Sequence, residues 1–212
     1  MNRFWTALLL TGILLTSRGR AEDAGQRRGW PDAAPLTKRN LVLPLDGDAF
    51  VRVDVLSERL FRVRHSKTRQ WTESALNRYG ILAAAFPEVA FELTEADGVY
   101  AIATGQARLT ISRKGGALTL SAADGKSLTQ HAAPVGQTHG GYDLRFTLAK
   151  DERLFGLGDV SRENLMRRGG VYEFWVLNVK AYIPIPVVLS NRGWGLLMNT
   201  TWRNTIDVGK SD

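Results

Sequence analysis

From Phe50 to Val208 apolar and polar residues change places one by one, in run after run, and that period of two is the mark of half-buried β-strands. Val51, Val53 and Val55 alternate with Arg52 and Asp54, and Phe61 and Val63 with Arg62 and Arg64. The same pattern predicts strands over 99–103, 108–112, 118–120, 144–148, 171–175, 185–189, 193–198 and 205–208. Lys114-Gly115-Gly116 sits between two of these runs and predicts a hairpin, and Asp124-Gly125 predicts another turn. With no amphipathic helix past the amino terminus, so many short strands and turns predict an all-β sandwich. Residues 130–141 read as a long exposed loop, 161–170 as irregular, and no internal repeat is visible.

The amino terminus has a different character. Met1-Asn2-Arg3 precedes an apolar run from Phe4 to Leu15, and Gly19 and Ala21 stand three and one residues before a possible cut. This is the layout of an export signal, although Arg18 and Arg20 are atypical so close to the cut. The run is also shorter than the ~20 residues that span a bilayer. The expected organisation is a signal over 1–21, a polar Gly- and Pro-bearing leader over 22–38, and one domain over 39–212. The expected location is periplasmic or extracellular, with no membrane association once the signal is removed.

Composition narrows the function classes. There are no cysteines, so disulfides and thiolate metal sites are excluded and core packing must hold the domain together. The formal charge of +7 falls to +4, from 25 basic against 21 acidic residues, once Arg3, Arg18 and Arg20 leave with the signal. Arg52, Arg62 and Arg145 alternate with apolar neighbours, the pattern of a solvated strand face, and no basic helix or basic-aromatic cluster points to nucleic acid. His65, His131 and His139 lack metal-ligand spacing and read as satisfied surface or strand histidines. No metal site and no cofactor are expected.

Gly156-Leu157-Gly158-Asp159 lacks the third glycine of a dinucleotide loop and the Gly-Lys-Ser/Thr of a phosphate loop; a tight turn or bulge where two backbones meet accounts for it better. No Gly-x-Ser-x-Gly elbow is present. Glycosidic chemistry needs two carboxylates facing each other across a sugar, and the sequence nominates no such pair. Asp159, Glu163, Glu173 and Asp207 flank turns, where carboxylates commonly accept from backbone donors. The most unusual stretch runs from Tyr172 to Tyr182 and into Ile183-Pro184-Ile185-Pro186. Aromatic rings beside amide and ammonium donors suit a sugar, the rings lying on C–H faces and the donors reaching hydroxyls. The plainer alternative makes Phe174 and Trp175 core and the remainder a loop.

Six phrases in the carboxy-terminal third, in order, resemble glycoside hydrolase family 31. They are Phe155-Gly156-Leu157-Gly158-Asp159, Asn164 to Gly169, Tyr172-Glu173-Phe174-Trp175, Ile185-Pro186-Val187-Val188-Leu189-Ser190, Gly193 to Asn199 and Ile206-Asp207-Val208-Gly209. Leu60-Phe61-Arg62-Val63-Arg64 and the hairpin within 104–125 agree more loosely, so the resemblance spans about 40–212.

The resemblance implies a mutarotase-like β-sandwich, with the family's (β/α)8 catalytic barrel absent from this chain and expected downstream in the same polypeptide. The nucleophile and acid/base aspartates of these retaining enzymes lie on that barrel, so the expectation here is no catalytic residue and no activity alone. The last residues, Gly209 to Asp212, form no polar tail or closing strand, and truncation is the favoured reading. Barrel-facing surfaces left bare would make the isolated chain poorly soluble.

The family's sandwich lends a loop with an Asn-x-Asp-Ala phrase to the rim of the active site. Here the matching residues are Asn178, Val179, Lys180 and Ala181, with Lys180 where the sugar-holding aspartate would stand. An ammonium cannot accept hydrogen bonds from hydroxyls. Lys180 is therefore read as facing an acidic sugar group or a barrel carboxylate, against the alternative of a solvated lysine. The expected substrate-binding residues are Trp175, Asn178, Lys180 and Tyr182, and the expected ligand is an α-glycoside. A free-standing carbohydrate-binding or interaction module is the other reading.

Overall fold

The computed structural model describes residues 6–11, 40–83, 85–138, 141–159, 164–175 and 183–211. Its strands are β1 (Thr6–Thr11), β2 (Asn40–Leu45), β3 (Ala49–Ser57), β4 (Leu60–Ser66), β5 (Glu92–Ala96), β6 (Val99–Ala103), β7 (Ala107–Ser112) and β8 (Leu118–Ala122). There follow β9 (Ser127–Gln130), β10 (Gly136–Thr138), β11 (Gly141–Asp143), β12 (Leu154–Gly158), β13 (Val171–Phe174), β14 (Pro184–Ser190), β15 (Trp194–Met198) and β16 (Asn204–Asp207). One helical turn, α1 (Ala75–Arg78), is capped by Ser74, whose side chain accepts from the backbone N–H of Asn77.

The strands form a seven-stranded sheet ordered β12-β14-β15-β1-β4-β3-β2 and a five-stranded sheet ordered β5-β6-β7-β8-β9, with two-stranded ribbons β10-β11 and β13-β16. One core joins the layers. Val51, Val53, Val55, Phe61 and Val63 from the larger sheet cluster with Tyr100, Ile102, Leu109, Ile111 and Leu120 from the smaller. The chain is an all-β sandwich, and the alternating residues named above are the ones that turn inward.

Several details depart from the sequence reading. Residues 144–148 form no strand: Phe146 makes an isolated bridge to His131, and only Ala132 N–H to Arg145 O and Thr147 N–H to Gln130 O tie the segments together. The partner stretch ends at Pro134, which has no N–H to continue a ladder. Within 130–141, read as an exposed loop, lie a buried His131 and β10, which pairs with β11 at its far end. Thr6–Thr11 form β1, whose backbone pairs antiparallel with both β15 and β4.

Arg52 and Arg62 are not simply solvated. Their Nε atoms each donate to Asp54 at 2.8 Å, Arg64 donates to it at 3.0 Å, and Arg62 and Arg64 also reach Glu73. Burial would raise the Asp54 carboxyl, but Arg62, Arg64 and Arg52 together hold it below the usual carboxylate range. This network lies on the outer face of β3 and β4, while Arg145 remains exposed.

Candidate functional site

The sugar-site candidates follow β13. In the β13-β16 ribbon Val171 opposes Asp207, Glu173 opposes Thr205 and Phe174 opposes Asn204. Alternation turns Phe174 and Val208 into the core and leaves Val171, Glu173 and Trp175 outward. Trp175 is 44% exposed, so the two adjacent aromatics divide, one to the core and one to the surface. Asn178, Lys180 and Tyr182 lie outside the described residues. Of the expected binding residues the structure thus places Trp175.

The start of this region is set by an unusual turn. Gly156, Leu157 and Gly158 take φ values of 103°, 65° and 70°, three successive residues in the left-handed region. The β12-β14 register shifts here, Gly156 lying opposite Val188 and Gly158 opposite Pro184. A Cβ on Gly156 would stand 2.2 Å from Val187 O, and one on Gly158 would stand 2.2 Å from Ile183 O. Two backbones do meet at this bulge, as the Gly-Leu-Gly spacing predicts, and only glycine permits it.

Arg167, 3% exposed, closes the turn. Its Nε donates to Gly156 O at 2.9 Å, Nη2 to Gly158 O at 2.9 Å and Nη1 to Asn164 O at 2.7 Å, while its carbon head lies 5.7 Å from the Tyr172 ring centre. One rigid guanidinium with donors in a fan can serve three carbonyls at once. Asp159 N–H donates to Ile183 O, so the strand leaving the turn is tied to the strand entering β14. Glu152, 3% exposed, plays a parallel part: it accepts from Ser190 Oγ at 2.6 Å, Trp194 Nε1 at 2.7 Å and the Ala149 N–H at 3.0 Å. The sequence reading did not single out Arg167 or Glu152, since nothing local marks a charged residue as buried.

Glu163 and His139 lie outside the described residues, while Asp207 and Glu173 take plain roles. Asp207 accepts from Lys210 N–H at 2.8 Å and from Ser211 Oγ, as expected of a carboxylate at a turn, and Glu173 pairs with Arg203. His65 and His131 are not satisfied: His65 Nε2 and both His131 nitrogens have no hydrogen-bond partner among the described residues. His131 sits edge-on to Phe146 with ring centres 4.5 Å apart. Burial, and for His65 also the nearby His131, pushes both imidazoles down to about 4. Among the described residues no group of three or more His, Cys, Asp or Glu side chains is placed to hold a metal ion, and no helix is long and apolar enough to cross a membrane.

Comparison with known proteins assigns the family. The glycosyl hydrolase 31 N-terminal galactose mutarotase-like domain profile matches residues 50–207. The chain belongs to that domain family.

Solved structures share its fold. An α-xylosidase of Xanthomonas citri superposes with a TM-score of 0.61 at 22% identity, over 79% of this chain and 19% of the enzyme. A Flavobacterium johnsoniae dextranase, solved with isomaltotriose, gives 0.66 at 20% over 82% and 22%. A soil-metagenome α-xylosidase, solved with xylose, gives 0.66 at 21% over 82% and 29%. This glycosyl hydrolase 31 domain therefore spans a fifth to under a third of the length of those enzymes. A search of curated proteins gives no match.

Proposed function

We propose that the chain is the amino-terminal domain of an exported enzyme that hydrolyses α-glycosidic bonds with retention, and that it shapes the sugar site without supplying the reacting groups. The observation that carries this reading is the family match across both sheets and the β13-β16 ribbon, which ends in an outward-facing Trp175. Retaining hydrolysis needs two carboxylates about 5 Å apart, one as nucleophile and one as acid and base. In this reading both come from a catalytic domain downstream in the same polypeptide.

The xylosidases and the dextranase support an α-glycoside as substrate class. Trp175 offers a flat ring to sugar C–H groups, and Asn178, Lys180 and Tyr182 follow it in sequence as donors to hydroxyls. Lys180 biases the site toward an anionic sugar or pairs with a carboxylate of the catalytic domain. The apolar run at the amino terminus, preceded by Arg3, supports export.

The test is turnover of neutral and anionic α-glycosides by the complete polypeptide, by its Lys180→Ala form and by the 212-residue chain. The complete polypeptide should turn over, the chain alone should not, and Lys180→Ala should cost the anionic substrate roughly tenfold more, as expected for one lost charge-assisted contact. Equal losses on both substrates would remove the role given to Lys180. Hydrolysis by the 212-residue chain would overturn the division of labour.

A further inference from the structure

The outer face of the seven-stranded sheet is apolar across several strands but roofed over only part of its width. Leu56, Leu60 and Leu197 are buried there, with the partly buried Val187 and with Leu82 and Phe86 from the segment that follows α1 packed against them. Cross-strand partners point to the same side of a sheet. Val187 opposes Leu197, so Val187 and, by the period of two, Ile185 and Leu189 share that outer face, and Phe155 joins them because it opposes Leu189. Beyond the roof these side chains are bare: Phe155 is 36% exposed, Leu189 47% and Ile185 50%, with Ile183 at 66% continuing the line. Inward neighbours on the same strands, Leu154 and Val188, are buried.

A row of four large apolar side chains without a charge among them has the composition of an interface centre, where charged residues are depleted. We infer that this bare strip on β12 and β14 is the seat on which the catalytic domain of the same polypeptide docks, an inference that rests on the function proposed above. The occupant follows from what the domain adjoins. It makes up only a fifth to under a third of the related enzymes, so most of such a polypeptide lies outside it. The β13-β16 ribbon is joined to β15 of the sheet that bears the strip by only residues 199–203.

Hydroxyl-radical footprinting of the 212-residue chain and of the complete polypeptide tests the assignment. Phe155, Ile185 and Leu189 should react roughly fivefold more slowly in the complete protein, as for side chains at a desolvated interface centre, while Val99 on the smaller sheet serves as reference and should not change. Equal reactivity in the two proteins overturns the inference. So does protection that appears in both and grows with concentration, which would make the occupant a second copy. A complete polypeptide that protects the strip yet hydrolyses no α-glycoside leaves the docking face standing and removes the function; turnover with an unprotected strip does the reverse. In the complete polypeptide, the double substitution Phe155→Glu and Leu189→Glu should split one calorimetric unfolding transition into two, and a single unchanged transition would count against the seat.

Discussion

The five-stranded sheet and the region from Glu152 to Val208 are built by different means. In the first, each strand pairs with the next in sequence, β5 through β9, so short turns alone set the register. In the second, β12 pairs with β14, β13 with β16 and β15 with β1 across wide separations. Nothing local fixes those registers, and buried charged groups do it instead: Arg167 across the Gly-Leu-Gly turn, and Glu152 across Ser190 and Trp194. Local pairing tolerates ordinary residues, whereas distant pairing here depends on a few polar anchors whose loss leaves buried groups unmet.

The sharpest break of that contrast is Arg167→Ala. It removes a buried guanidinium and its three hydrogen bonds to the Gly156, Gly158 and Asn164 carbonyls and should destabilise the chain by about 3 kcal/mol, lowering Tm by roughly 6–12 °C in calorimetry. A shift below about 2 °C would show that the turn holds itself. Gly158→Ala comes next, because its Cβ has no room beside Ile183 O and the residue sits at φ 70°. A loss of about 2 kcal/mol in denaturant melts is expected, with unchanged stability contradicting the close approach.

Acid sharpens the comparison where the two sheets meet at His65 and His131. Both imidazoles are neutral when folded and titrate near 4 rather than 6.5. Between those values the unfolded chain takes up protons that the folded chain refuses, so stability falls as the pH drops from 6.5 toward 4. The expected slope is up to about 1.4 kcal/mol per pH unit for each histidine. His131→Phe should flatten it, and melts at stepped pH that show parallel curves for both proteins would sink the assignment. Thr110→Val, a half-buried residue on the outer face of β7, should change stability by no more than about 0.5 kcal/mol; a larger effect would mean the hairpin ladder is less tolerant than supposed.

Much of this was legible in the chain and part was not, for reasons that differ residue by residue. Val51, Val53, Val55, Leu109 and Ile111 announce their burial through alternation, because a pleated strand turns every second side chain to the same face. Gly156 and Gly158 announce a bulge, because few other residues take those angles. Arg167, Glu152 and Asp54 look like any surface charge in sequence; their partners come from strands 11, 42 and 10 residues away. His131 falls in a stretch that reads as a loop, and burial comes from Phe146 folding over it.

By itself the sequence determined the layer type, the inward residues of β3, β4, β7 and β8, the glycine turn and the family, since all of these follow from periodicity or from short ordered phrases. The tertiary structure decided which strands are neighbours, that Phe174 turns inward while Trp175 turns out, and that the apolar face is roofed at Val187 and bare at Leu189. Alternation states that a side chain faces one side of a sheet; only the packing of distant segments states what, if anything, covers that side.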